Sequence, residues 1–418
     1  MNAFLASSEQ QLRPELRGKP IAVGAVDCDT TCCIAVSYEA KPYGIKTGTP
    51  IWLAKKLCPQ IQIVEARPPL YVELHNKIVE AVQSCALFEK VFSIDEMSCR
   101  LATQERDPPA AIALAKEVKR AIYTKAGKYL RCTVGLAPNR FLAKVATDMQ
   151  KPDGLVVIDD SDLPHKLFSL ELIDLCGIGQ QMLKRMHRHG IQTVQQLCEA
   201  SEAELVEVWE SVLGRYWWHW LRGHDLPDPP TRHRTVGHSH VLPPDLRNDR
   251  DAHAVLIRLI SKAAVRLRSM NYWAQRMEIY VSYSFQEEGW TADIPLGLCQ
   301  DTLSMVQAFC DVWRYRPKEG TPTQVAITLL NLVPNQSAAN PLFPQEQNRI
   351  RLSRAIDTLN ERFGHHTIYF AAMHGALDSA PMRIAFSRVP DASENDGREA
   401  EKIKKYKRRR WRRNHFEI

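Results

Sequence analysis

With 418 residues, 44% of them hydrophobic and 25% charged, the chain is too long for one core and predicts two to four domains of ordinary globular composition. Its net charge of +7 is modest, but Lys and Arg gather in particular stretches, which suits a phosphate backbone better than the same charge diluted. The sequence has no apolar run long enough for a membrane span and no signal-type N-terminus, and its 11 cysteines are scattered and odd in number, which sets aside membrane proteins and secreted disulfide scaffolds and reads as cytoplasmic.

Met1 to Glu9 reads as the end of a strand running into a helix, so the chain starts in mid-element. After a turn at Leu16 to Pro20, Ile21 to Val26 and Ile34 to Tyr38 are buried strands. Cys28, Cys32 and Cys33 form the one local thiol cluster, spaced poorly for zinc and better read as reduced structural cysteines. Glu39 to Gly48 is a glycine-punctuated loop bearing Lys41 and Lys46, followed by a helix from Pro50 to Leu57. A lysine loop between strand and helix suits phosphate binding, although taken alone it also describes any solvated loop.

Tyr71 to Ala86 and Ala110 to Tyr123 have helical spacing, Leu130 to Leu136 reads as a strand, and Pro138-Asn139-Arg140 opens a helix carrying Phe141, Leu142 and Val145. That helix stops at Lys151-Pro152-Asp153-Gly154, with Lys151 at the mouth of the turn. Helices alternating with strands predict an α+β core. Within it, Ser93-Ile94-Asp95-Glu96 separates the apolar Val91-Phe92 from the half-buried stretch Met97 to Leu101. Neighbouring strand residues point to opposite faces, so Asp95 and Glu96 share an object only if they sit at a turn or bulge. A divalent cation rewards that crowding, and Mg²⁺ takes one or two carboxylates plus substrate phosphates. An isolated Asp-Glu pair is more often a solvated hairpin tip. The motifs elsewhere in the chain reverse that preference.

Leu175-Cys176-Gly177-Ile178-Gly179, a helical run through Met186, Gly190-Ile191 and a second helix from Thr193 make a helix-hairpin-helix pattern. Its glycines Gly177 and Gly179 let backbone N–H groups approach a DNA phosphate, and the competing reading is a glycine-capped helical connector. Tyr216, Trp217, Trp218 and Trp220 read as packing residues, and Asp225 to Thr231 as a proline-rich linker. Beyond it, Thr235 to His238 opens a further domain with a helix at Ala252 to Arg268, a strand at Arg276 to Phe285, a helix at Leu303 to Trp313 and a strand at Gln324 to Leu330. That order predicts a small open sheet backed by two helices. Gln336 to Gln347 reads as a loop exposing Leu342 and Phe343, Ile356 to Phe363 as a helix, and the basic tail after Asp391 as disordered.

Asn2-Ala3-Phe4-Leu5-Ala6-Ser7, Ser37 to Lys41, Ser93 to Glu96, Gly135 through Lys144, Lys151 to Gly154 and Gly177 to Gly179, taken in order, resemble the Y-family DNA polymerases of the bacterial translesion type, the group of DNA polymerase IV and the polymerase V catalytic subunit. The resemblance covers nearly the whole chain. It implies an α+β, multidomain right hand: palm at 1–9 and 67–157, fingers at 10–66, a helical thumb at 158–225 with the helix-hairpin-helix, a linker at 226–235, an α/β little finger at 236–334, a C-terminal region at 335–390 and a basic disordered tail at 391–418.

It further implies a DNA-directed DNA polymerase acting in damage tolerance, with primer-template DNA and deoxynucleoside triphosphates as partners and a nucleoid-associated, cytoplasmic location. Asp95 and Glu96 match the metal ligands and catalytic residues for two Mg²⁺ ions, one activating the primer 3′-OH and the other holding the triphosphate. Phe4, Leu5, Tyr38, Lys41 and Lys151 match nucleotide contacts, and Gly177 and Gly179 match DNA contacts. Ala339 to Phe343 stands where relatives carry a sliding-clamp peptide, with Leu342 and Phe343 as its plug and the leading Gln missing.

Three departures carry consequences. Lys41 replaces the family's Arg and loses bidentate geometry. Leu5 replaces an aromatic gate against the ribose 2′-OH and relaxes sugar discrimination. The family's first metal-binding Asp would immediately precede Met1. The expectation is therefore a late start codon or a truncated chain, with a catalytically inactive accessory protein that binds DNA and recruits another polymerase as the alternative.

Overall fold

The computed structural model describes residues 1–25, 28–29, 31–229, 234–284, 286, 288–339, 341–364 and 366–379. The expected basic tail lies outside them, as do Val26, Phe285 and Asn340. The chain divides near residue 230 into two compact units.

In the first unit, α1 (Phe4–Leu12) is a helix, but no strand precedes it; Asn2 instead donates its backbone N–H to the carbonyl of Arg131 at 2.9 Å. β1 (Ile21–Gly24) pairs antiparallel with β2 (Cys33–Val36), and α2 (Ile51–Leu57) leads to β3 (Gln62–Glu65), which lies parallel to β1. β3 escapes sequence reading because four residues with polar ends have no periodicity of their own and form a strand only against the edge of β1.

α3 (Pro68–Gln83) and α4 (Pro108–Lys125) both begin earlier than their apolar spacing suggests, because each opens on a Pro-Pro pair whose missing N–H costs nothing in the first turn. Between them β4 (Phe88–Ser93) and β5 (Glu96–Cys99) form a hairpin around Ile94-Asp95, with a register shift between Val91 and Ser93. This ladder is two-stranded, so the carboxylates sit at a hairpin tip rather than on a wider sheet. Ile94 is buried among Phe4, Leu5, Tyr71, Ile78 and Leu130, which fastens the tip to α1 and α3.

β6 (Val134–Leu136) is shorter than expected because Leu130 and Cys132 pack into that core, and it runs parallel to β7 (Leu155–Val157) with α5 (Arg140–Met149) between them. Four short helices complete the unit: α6 (Gln180–Arg188), α7 (Val194–Glu199), α8 (Glu202–Trp209) and α9 (Leu213–Leu221). Thr193 with Gln196 and Ser201 with Glu204 form capping boxes that stabilise α7 and α8 despite their length. Trp217 is buried between Phe141 and Trp209, with ring centroids 4.7 and 4.8 Å away, so the tryptophan cluster is packing.

The second unit contains β8 (Thr235–Val241), α10 (Asp249–Ser269), β9 (Tyr272–Tyr283), β10 (Trp290–Cys299), α11 (Thr302–Trp313), β11 (Pro322–Leu330), β12 (Val333–Pro334) and α12 (Pro344–Phe363). The sheet order is β10-β9-β11-β8 with every neighbouring pair antiparallel. β10 was hidden by Asp293, Pro295 and Gly297; pairing with β9 and the inward Ala292 and Ile294 make it a strand. α12 overturns the loop expected up to Gln347: it starts at Pro344 through a polar first turn that lacks an apolar period. Arg268 of α10 holds it by a bidentate bond to Asp357 at 2.6 and 2.8 Å. Among the described residues no helix is long and apolar enough to cross a membrane.

Candidate active site

Asp95 lies in the β4–β5 turn and Glu96 opens β5, so the two carboxylates escape the strict alternation of a strand. The turn is held from three sides. Ser93 Oγ donates to Asp95 Oδ1 at 2.7 Å and accepts from the Asp95 N–H at 3.3 Å. His75 of α3 is buried, which lowers its pKa, and its Nδ1 donates to the Ile94 carbonyl at 2.7 Å. From α1's entry, the Met1 nitrogen donates to the Asp95 carbonyl at 2.5 Å.

Helical spacing puts Arg140, Lys144 and Asp148 on one face of α5, with Lys151 one turn on. Lys144 Nζ lies 3.1 Å from Glu96 Oε1 and 3.7 Å from Asp148, and Lys151 pairs with Asp148. Burial works against the charge of Lys144, but Glu96 and Asp148 outweigh it and its pKa is raised. Lys41 Nζ sits 3.7 Å from the Tyr38 ring centroid. Burial, then the nearby charge of Lys151, lowers the Lys41 pKa. Burial likewise raises the Tyr38 pKa, opposed by a hydrogen bond with Asn2. Asn2 ties this corner together, donating to Thr133 Oγ1 at 3.0 Å and accepting from the Asp153 N–H at 3.0 Å.

Asp95, Glu96, Tyr38, Lys41 and Lys151 thus belong to one connected group. Phe4 and Leu5 stand beside it in the first turn of α1, but only 2% and 6% exposed, so the structure places their side chains in the core. Cys176 adjoins the Lys144–Glu96 pair, and burial pushes its thiol up to about 11. The two glycines that follow differ in kind. Gly177 has φ +104, with Trp217 3.2 Å from where a Cβ would stand, whereas a Cβ on Gly179, at the start of α6, would meet nothing within 4 Å. Lys144, Asp148, His75 and Asn2 were missed as site residues; the i, i+4 spacing of 140, 144 and 148 was the available signal for the first two.

Residues 1–148 match the profile described as impB/mucB/samB family, and residues 233–342 match that family's C-terminal domain. The chain is 32% identical over 379 residues to DNA polymerase IV of Moorella thermoacetica, an alignment spanning 88% of this chain and 94% of that protein. The solved Y-family DNA polymerase chimera Dbh-Dpo4(243-245)-Dbh superposes with a TM-score of 0.65 at 25% identity, covering 80% of this chain and 98% of that one. The chain is a Y-family translesion DNA polymerase of the impB/mucB/samB family. A second relative of this polymerase, DNA polymerase IV of Pelotomaculum thermopropionicum, is 29% identical over 377 residues, 88% of this chain and 92% of that protein.

Among the described residues no cluster of three or more His, Cys, Asp or Glu side chains stands ready for a metal ion. The half-buried Asp95 and Glu96 nevertheless fit Mg²⁺ as it binds beside nucleotides: hard oxygen donors, too few for a protein cage, with lysines nearby for the phosphates that complete the shell.

Proposed function

We propose that the Asp95–Glu96 hairpin tip is the nucleotidyl-transfer centre of this polymerase, used to copy damaged DNA. The observation that carries the reading is the group itself: two adjacent carboxylates at a turn, Lys144 on Glu96, Lys151 beside it on Asp148, and Lys41 close enough to Lys151 to feel its charge. Asp148 answers Lys151, but Lys41 faces that like charge with the Tyr38 ring rather than a carboxylate against it, and a triphosphate supplies the anion that stabilises both. Lys41 and Lys151 bind its phosphates and Tyr38 orients Lys41. Asp95 and Glu96 hold Mg²⁺, which when bound supplies Lewis-acid activation of the primer hydroxyl and charge neutralisation of the phosphates.

In this reading residues 1–9 and 67–157 are palm, 10–66 fingers, 158–225 thumb and 236–334 little finger. Leu5, packed into the core beside the sugar position, sets no aromatic ring against the 2′-OH and leaves ribonucleotides poorly excluded. The open backbone at Gly179 and the sharp turn at Gly177 meet a DNA phosphate. Leu342 and Phe343, 83% and 62% exposed, form the plug for a sliding clamp. The protein works in the cytoplasm at the nucleoid.

The Met1 nitrogen is bonded to Asp95, so a residue joined before Met1 would enter the cleft beside the carboxylates. Primer extension with Mg²⁺ tests the proposal by comparing this chain with a form carrying an added Asp before Met1. The extended form is expected to elongate primers faster; failure of both forms, with primer-template binding intact, would favour the non-catalytic accessory role. Lys41→Ala removes one charge-assisted phosphate contact of about 1.5–3 kcal/mol. Steady-state kinetics should then show kcat/KM for the incoming nucleotide lowered by roughly ten- to a hundredfold. An unchanged value would remove Lys41 from the site.

A further inference from the structure

At the C-terminal end of α1 a cleft of about 440 Å³ opens between Gln11, Arg17 and the segment that ends α4. Its frame is fixed. Gly127 has φ +133, and a Cβ there would lie 2.3 Å from the Gln11 side chain, whose Oε1 accepts from the Tyr129 N–H at 3.0 Å. Arg17 forms one wall: its Nε and Nη2 donate to the carbonyls of Gln10 and Gln11 at 2.9 and 3.2 Å, and its guanidinium lies 4.5 Å from the Tyr129 ring centroid. On the other wall Lys128 Nζ stands 5.9 Å from the ring of Tyr123, a side chain left 50% exposed.

The lining therefore carries two cations, two aromatic rings and no carboxylate, and among the described residues neither cation is engaged in an ion pair. The exposed Tyr123 ring and the half-buried Tyr129 ring, with cations beside them and no acid in the lining to repel an anion, form the arrangement that stacks a base and meets its phosphate. We propose that this cleft binds a phosphorylated nucleobase, carried on a single DNA strand or as a free nucleotide. It is separate from the carboxylate centre. The helix α1 has Phe4 at one end and the cleft at the other, about 12 Å of helical rise apart.

The test uses the full chain saturated with unlabelled primer-template, so that the polymerase cleft is filled, and follows fluorescein-labelled dT8 by fluorescence anisotropy. Saturable binding is expected, weakened about tenfold or more by the Tyr123→Ala, Lys128→Ala double variant and kept by Tyr123→Phe, which retains the stacking face. Both side chains of the double variant are exposed, and primer extension by it should match that of the parent, which separates this site from the transfer centre. Competition identifies the carrier: displacement by dTTP at equal nucleotide concentration assigns the cleft to free nucleotides, and displacement by unlabelled dT8 alone assigns it to a strand. The proposal is overturned if the saturated chain does not bind dT8 or if the double variant binds it as tightly as the parent.

Discussion

Asp95→Asn should lower primer extension by about a thousandfold or more and leave the melting temperature nearly unchanged. The factor corresponds to about 4 kcal/mol of transition-state stabilisation, the scale on which an oxygen-bound cation acts at a reacting phosphate. The two parts of the result separate because Asp95 has two jobs. Its backbone carbonyl accepts from the Met1 nitrogen and its side chain accepts from Ser93 Oγ, and an asparagine carbonyl can do both. What asparagine lacks is the negative charge, which favours the charged forms of the Met1 amine and His75 but is outweighed at both by their burial, and the neighbouring lysine contact belongs to Glu96. Single-turnover extension beside thermal melting would read both quantities. A variant that extends primers within a few-fold of the parent would remove Asp95 from the metal-binding pair.

The divide between what the sequence showed and what it hid follows the range of the interactions involved. Asp95 and Glu96 could be placed at a turn because the clash between strand alternation and two neighbouring carboxylates is local. The turn at Gly177 and the helix opening at Asn139 were likewise readable, since caps and positive φ are set by a few consecutive residues. Lys144 lies inside the Gly135–Lys144 motif, but its role is hidden there, because its ion pair with Glu96 spans 48 positions and no periodicity reports it. His75 reads as one more polar residue on α3 until its Nδ1 is found on the Ile94 carbonyl. β3 and β10 were missed for a related reason: each becomes a strand through an edge supplied by a distant segment. α12 failed locally instead, its first three turns being too polar to show an apolar stripe.

Glu9→Ala should destabilise the protein by about 3–5 kcal/mol, the largest stability effect expected of a single side chain here. Glu9 lies in α1, where sequence alone would leave a glutamate on the solvent face, yet it is fully buried. Its carboxylate is enclosed by partners: Arg67 Nε and Nη2 at 3.0 and 2.5 Å, Tyr71 Oη donating at 2.7 Å, and Arg13 Nη2 at 3.1 Å. Burial and then the charge of Glu9 raise the Tyr71 pKa strongly, so the phenol stays protonated and keeps donating. Alanine would leave the buried Tyr71 hydroxyl and the Arg67 guanidinium without their acceptor and open a cavity beside them. For the first unit, Met1–Pro230, the melting temperature should fall by on the order of 6–10 °C. Tyr71→Phe, which removes one donor and leaves both arginines on the carboxylate, should cost only about 1–2 kcal/mol. Equal effects from the two variants would show that packing, not the buried charge, holds α1. Because α1 begins at Phe4 and Leu5 beside the transfer centre, Glu9→Ala should also raise KM for the incoming nucleotide at temperatures where the variant is still folded. A melting shift below about 2 °C would mean that Arg67 and Tyr71 find other partners and that the cluster does not fix the helix.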